Sequence, residues 1–259
     1  CCLWLMRSGV PAGRLRWIMP RDSWLLNRAN VQPGPQFVKT LRASIGSRME
    51  AITEATSVDD LFLRLEADGN VFRLDPTVNP TMYHCAIVST GELDQLRRIE
   101  DVVRLGHIER VEHDRVVLER GDVAAPAPSL YVDCTTQGLP RPPSGPGFDG
   151  ERITLQSVRG CQQVFSSAFI AHVEAAYGDD ETRNALCAPI PHPDAPIDWL
   201  RILFSDNKAQ IRWLEDPELM DWLKASRLNV LRDLFPQFPD KPRVREKAFG
   251  ALTDRKSVV

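Results

Sequence analysis

The sequence predicts an α/β protein that opens partway through a βαβ unit, continues into a β-meander and closes in a mostly helical region. Three observations predict this class. Cys1-Cys2-Leu3-Trp4-Leu5-Met6-Arg7-Ser8-Gly9 reads as an apolar helix with a glycine stop, and Leu15-Arg16-Trp17-Ile18-Met19-Pro20 follows as a strand ending in the polar turn Arg21-Asp22. Tyr83-His84-Cys85-Ala86-Ile87-Val88 is an apolar strand that feeds a Ser89-Thr90-Gly91-Glu92 turn and a charged amphipathic helix over Leu93 to Ile99. From Val102 to Glu119 the texture changes to alternation, the mark of a meander. Because a helix, a glycine stop and a buried strand form only the second half of a βαβ unit, the first strand and its glycine-rich turn are expected upstream. The chain is therefore read as a fragment.

The remaining elements follow in order. Ser23 to Pro35 reads as a polar loop holding Asn27, Arg28, Asn30 and Gln32. Gln36 to Ala67 has helical spacing, with Phe37, Leu41, Ile45 and Met49 on one face. A second helix starts near Ser57-Val58-Asp59-Asp60 and carries Leu61, Leu63 and Leu65. Gly69-Asn70 turns the chain into a short strand, Val71 to Leu74. Ile108 to Glu112 and Arg115 to Glu119 flank His113-Asp114 as a hairpin, and Gly121-Asp122 turns again. Leu130 to Thr135 is expected to be a last strand ending in Thr136-Gln137-Gly138, before a Pro-rich crossing over 139–150. Ile153 to Gln156 then reads as a strand and Phe165 to Tyr177 as an amphipathic helix. The remainder is mostly helical and holds Trp199, Trp213 and Trp222.

Composition excludes several classes. A net charge of -3 over 259 residues argues against nucleic acid or an anionic membrane as the main partner. No apolar run reaches the roughly 20 residues that span a bilayer. The six cysteines form no Cys-x-x-Cys and no zinc-ligand spacing, so no metal site is expected. Cys85 and Cys134, inside apolar runs, read as small buried hydrophobes. A reducing cytoplasm and no disulfide scaffold are the expectation.

The order of βαβ, meander, apolar strand with a small-polar-glycine turn, and return through a linker resembles the flavoprotein oxidoreductases with two dinucleotide-binding domains. That group includes the flavin-containing monooxygenases and the pyridine nucleotide-disulfide reductases. Leu130 to Gly138 resembles the Ala-Thr-Gly type motif that ends their inserted NAD(P) domain. The runs Arg16 to Trp24 and Phe165 to Ile170 resemble a bacterial branch of FAD/NAD(P)-binding oxidoreductases. The resemblance implies a truncated Rossmann-type NAD(P)-binding domain with a β-meander over residues 1–138 and a linker over 139–150. The C-terminal part of an FAD-binding domain with a helical extension would follow over 151–259. Both glycine-rich fingerprints are absent, Thr136 replaces a small apolar residue, and no Cys-x-x-x-x-Cys pair supports a disulfide-reductase mechanism.

Candidate cofactor residues come from this reading, each beside a plainer role. Arg21 follows the first strand where Rossmann domains handle the adenine ribose, and its planar fork suits a 2′-phosphate. Beside Asp22 it is equally a solvated turn residue. Arg28 is a second such position. Ser89 and Thr90 end a strand that faces the expected crevice, or simply cap a helix. Thr135 and Gly138 mark the passage between nucleotide domains, or a turn that needs glycine, with Asp133 orienting it. Gln162 and Ser166, with Gln163 and Phe165, lie at the helix start that the resemblance points at flavin, Phe165 being equally a first core residue.

No catalytic residue is assigned. His84 and His172 read as core or half-buried, His113 as a turn residue, and His192 as part of a rigid loop that would line a substrate entrance. The expected activity is hydride transfer from NAD(P)H to FAD and on to oxygen or a small organic acceptor, with this piece inactive alone. Two alternatives remain open. One is a single-Rossmann enzyme such as a methyltransferase. The other is a non-catalytic helical module presenting an apolar patch over Trp199 to Leu234.

Overall fold

A computed structural model describes residues 1–134 and 144–237 of the chain, with side chains through Leu234. The chain begins in α1 (Cys2–Arg7), which Gly9 ends by taking φ +93, a conformation that costs glycine nothing. Strand β1 (Arg16–Ile18) follows, then β2 (Ser23–Asn27). Two helices come next, α2 (Val38–Glu54) and α3 (Val58–Ala67), before β3 (Val71–Phe72), β4 (Met82–Val88) and α4 (Thr90–Leu96). Ser57 caps α3 by accepting from the Asp60 N–H at 3.1 Å, with Asp59 and Asp60 in the first turn where the helix dipole favours negative charge.

The protein is mixed α/β, and its strands fall into four small sheets among the described residues. β2 is the centre of a three-stranded sheet, antiparallel to β3 and parallel to β4. The polar loop expected over Ser23 to Pro35 is thus corrected: its first five residues are a central strand. Asn27, Arg28 and Asn30 masked the apolar run Trp24-Leu25-Leu26, of which Trp24 is buried and Leu25 and Leu26 are half-buried against different cores. β1 pairs in parallel with β5 (Asp101–Val103). The expected meander is present as β6 (Ile108–Val111), β7 (Arg115–Leu118) and β8 (Gly121–Ala124), with His113 in its first turn.

The strand expected at Leu130 does not form over residues 130–134. Leu130 is 88% exposed, and the segment pairs with no strand among the described residues, so its apolar run has no ladder to join. Beyond the linker the predicted strand shrinks to a two-residue pairing of β9 (Phe148–Asp149) with β10 (Arg152–Ile153). Helices α5 (Gln163–Ala176), α6 (Asp180–Leu186), α7 (Ile197–Leu214) and α8 (Pro217–Ala225) complete the fold.

Three cores matter for the site. Met19, Leu74, Leu93 and Leu96 seat α1 and α4 against β1 and β5. Trp24, Leu61, Phe62, Leu65, Val71 and Tyr83 form a second, and Trp199 from α7 completes it, its ring 5.9 Å from that of Phe62. The third is aromatic and helical: Phe165, Phe169, Val173, Trp213 and Leu219 are all buried, with the rings of Phe169 and Trp213 4.4 Å apart. The inward face of α2 runs through Val38, Leu41, Ser44 and Ala51 and leaves Ile45 exposed, so the predicted stripe is rotated. Buried Asn70 accounts for the rotation: its side chain accepts from Ser44 Oγ and Arg48 Nε and donates to Ser47 Oγ, drawing polar positions inward.

Candidate functional site

Parallel strands β2 and β4 end together, Asn27 pairing with Val88, so Arg28, Ser89 and Thr90 lie side by side at their carboxyl ends. This is the edge where open α/β sheets hold ligands. The polar groups there are largely engaged with one another. Ser89 and Glu92 form a reciprocal capping box on α4, Glu92 accepting from the Ser89 N–H at 2.9 Å. Arg28 donates to Glu92 at 3.1 Å and to the Ile87 carbonyl at 3.2 Å. The Ser89 N–H, and then Arg28, hold the Glu92 carboxyl below its ordinary range. Ser89 is therefore a helix cap, and Thr90 is the first residue of α4.

The other predicted positions lie elsewhere. Arg21 precedes β2, at the opposite end of the parallel pair, and forks onto Asp194 at 2.7 and 3.2 Å. Buried Ser166 donates to the Gln162 carbonyl at 2.8 Å and accepts from the Val158 N–H at 3.1 Å. Gln162 Oε1 is buried with no hydrogen-bond partner among the described residues. Thr135 and Gly138 fall outside the described residues. Arg21, Arg28, Ser89 and Ser166 are thus all bonded within the chain. Arg21 lies at the opposite end of the β2/β4 pair from Arg28 and Ser89, and Gln162 and Ser166 lie at the start of α5.

A different constellation forms where β4 meets the region before α5. Trp24 pairs with Tyr83 but Leu26 pairs with Ile87, so β4 bulges over His84, Cys85 and Ala86, and Cys85 takes φ +56. The bulge re-aims Cys85, which is bonded to Cys161 with a Cα–Cα distance of 6.5 Å. This corrects the expectation of free, buried cysteines: 76 residues separate the pair, and sequence spacing carries no sign of it.

The bulge also turns His84 outward, where it is exposed rather than core or half-buried as expected. Its ring N–H donates to Asp194 at 2.9 Å, on the same carboxylate that Arg21 holds. Arg21 first, then His84, keep the Asp194 carboxyl well below the usual carboxylate range. The backbone joins in, since the Tyr83 N–H donates to the Asp194 carbonyl at 2.8 Å. Gln163, two residues beyond Cys161, donates to His192 at 2.8 Å. Prolines on both sides of the Pro-His-Pro-Asp stretch hold His192 and Asp194 in an extended, stiff segment, which is how two side chains from one loop reach the start of β4 and the start of α5.

Beneath the disulfide lie buried charges. Arg159 is fully enclosed by the helical core, donates to Asn229 at 2.7 Å and sits over the Phe165 ring at 4.8 Å. Burial pulls its guanidinium down to about 10. Asp206 accepts from the Gly160 N–H at 2.8 Å, and burial, only partly offset by Arg159, pushes its carboxyl up to about 6. Burial also raises the Tyr83 phenol and lowers Arg48, whose terminal NH2 nitrogen lacks a partner among the described residues.

Away from this seam, His172 stacks on Trp222 at 4.6 Å and is lowered by burial. Trp199 and Trp213 are core residues, so the expected apolar surface over Trp199 to Leu234 is not built from its tryptophans. Among the described residues no three His, Cys, Asp or Glu side chains cluster closely enough to hold a metal ion, and no helix is long and apolar enough to cross a membrane.

The chain is similar to uncharacterized proteins of Mycobacterium bovis and of two strains of Mycobacterium tuberculosis, each 56% identical over 254 residues. The match covers 98% of this chain and 47% of each relative, so the chain spans about half the length of the curated relatives it matches. It matches no model of a known protein family and no solved structure.

Proposed function

We propose that this chain is part of an FAD- and NAD(P)H-dependent oxidoreductase that passes a hydride from nicotinamide to flavin and on to oxygen or an organic acceptor. The observation that carries the reading is the parallel pair β2/β4, linked through α2, α3 and β3 and followed at once by α4, which repeats the alternation of a dinucleotide-binding sheet. The parallel pair β1/β5 and the meander after it agree with a truncated Rossmann-type NAD(P) domain, and α5 onward with the C-terminal part of an FAD domain. A single-Rossmann enzyme shares the first of these features but does not account for the crossing into a second, helical core.

The internal bonding of Arg21, Arg28, Ser89 and Ser166 sharpens the reading. Each already makes hydrogen bonds within the chain, so a dinucleotide phosphate bound there would compete with those bonds. Binding would rest on the rest of the longer protein, in which relatives of this kind have about as many residues again. The test compares the whole Mycobacterium tuberculosis relative with this chain, titrating each with FAD and following the quenching of flavin fluorescence. Whole protein that takes up about one FAD and then bleaches on NADPH or NADH supports the proposal, while the chain alone binds weakly. Folded whole protein that neither carries nor takes up flavin overturns it.

A further inference from the structure

We propose that the Cys85–Cys161 bond is a redox site that opens and closes by exchange with small thiols of the glutathione class, independently of whether the protein binds flavin. Four observations converge on it. Both cysteines are half-buried rather than sealed in a core, so a thiolate can reach a sulfur. Cys85 holds a left-handed backbone conformation inside a strand, which costs a residue with a Cβ and is released if the bond opens and β4 straightens. The surroundings are polar rather than apolar: His84, which precedes Cys85, shares the Asp194 carboxylate with Arg21, and Gln163, two residues past Cys161, bonds His192.

The fourth observation concerns what remains after opening. The Arg21–Asp194 fork, the Tyr83–Asp194 backbone bond and the packing of Trp199 on Phe62 join the same two regions without the disulfide. Reduction therefore changes the bulge and leaves the fold. Among the other described cysteines, Cys187 is buried with its thiol pushed up to about 12, a poor competitor in exchange.

The chemistry balances as two exchanges. One glutathione thiolate attacks a sulfur of the bond, forming a mixed disulfide and releasing the other cysteine as thiolate. A second glutathione thiolate then displaces the cysteine from the mixed disulfide. Two thiols have become one oxidised glutathione, and their two electrons and two protons end on Cys85 and Cys161.

The full chain is equilibrated across a series of reduced to oxidised glutathione ratios, quenched with acid, alkylated and mapped by peptide mass. Cys85 and Cys161 are expected to become alkylated together as the ratio rises through millimolar buffers. A glutathione adduct should appear on one of them at intermediate ratios, with the far-UV circular dichroism unchanged. A bond that survives the most reducing buffer and opens only in denaturant makes it a structural staple and overturns the proposal. Two cysteines that stay alkylatable in the most oxidising buffer overturn it equally. Replacing both, by Cys85→Ala with Cys161→Ala, is expected to abolish the dependence of the melting temperature on the glutathione ratio that the unaltered chain shows. An equal dependence in both proteins would place the redox response elsewhere.

Discussion

The helical core around Phe165, Phe169 and Trp213 and the seam where β4 meets the approach to α5 lie side by side, yet they are built on opposite principles. The core is apolar and aromatic, and the buried cation Arg159 is paired with Asn229 and covered by rings. The seam gathers Tyr83, Cys85, Cys161, Asp194 and Asp206, with Arg48 and His84 beside it, and includes a bulge and a residue at positive φ. A core of the first kind gains from each ring it excludes from water. A seam of the second kind places Tyr83, Arg48 and Asp206 where burial disfavours their charge, which makes its stability depend on pH, and its disulfide makes it depend on redox state. The difference teaches that the parts of this protein able to respond to conditions lie between its cores, not within them.

The strongest way to break the comparison is to empty the core. Phe169→Ala removes a fully buried ring in contact with Phe165 and Trp213 and is expected to cost about 3–5 kcal/mol, read as a lower denaturant midpoint. A loss under 1 kcal/mol would mean that the aromatic cluster is not the stabilising element described.

The seam should respond to pH instead. Asp206 rises from 3.8 to about 6 on folding, so its contribution to stability is complete below its unfolded value and is lost as the pH climbs through about 6. The loss attributable to this group is about 2–3 kcal/mol between pH 4 and 7. Arg159 and Tyr83 are the other ionisable groups acting on it, and they do not change charge over that range. Asp206→Asn keeps an acceptor for the Gly160 N–H and should flatten this part of the stability–pH curve. An unchanged slope would remove Asp206 from the account.

Smaller effects sharpen the picture. Ser89→Ala breaks the capping box and should cost about 1 kcal/mol by thermal unfolding, with no pH signature near 6. Arg21→Ala removes a pair whose side chains are 38% and 42% exposed, so its cost should stay under about 1 kcal/mol, as for other solvent-facing ion pairs. A larger loss on Arg21→Ala would show that the fork on Asp194 holds the two regions together more firmly than its exposure implies.

The sequence by itself determined the elements whose signals are local. The Ser57 and Ser89 caps, the helix over Phe165 to Tyr177, the hairpin around His113 and the apolar strand at Tyr83 all follow from periodicity and capping chemistry, which act within a few residues. The tertiary structure decided what those elements meet. β2 became a central strand because β3 and β4 flank it, while Leu130 to Cys134 found no partner and stayed out of any sheet. Arg21 and Arg28 were found as cations in turns, but their partners Asp194 and Glu92 come from distant or opposing segments. The disulfide, the outward turn of His84 and the shifted carboxyl of Asp206 were invisible for the same reason. Bond formation between cysteines 76 residues apart, and the burial that raises a carboxyl, depend on which surfaces the packed elements press together, and no window of neighbouring residues encodes that.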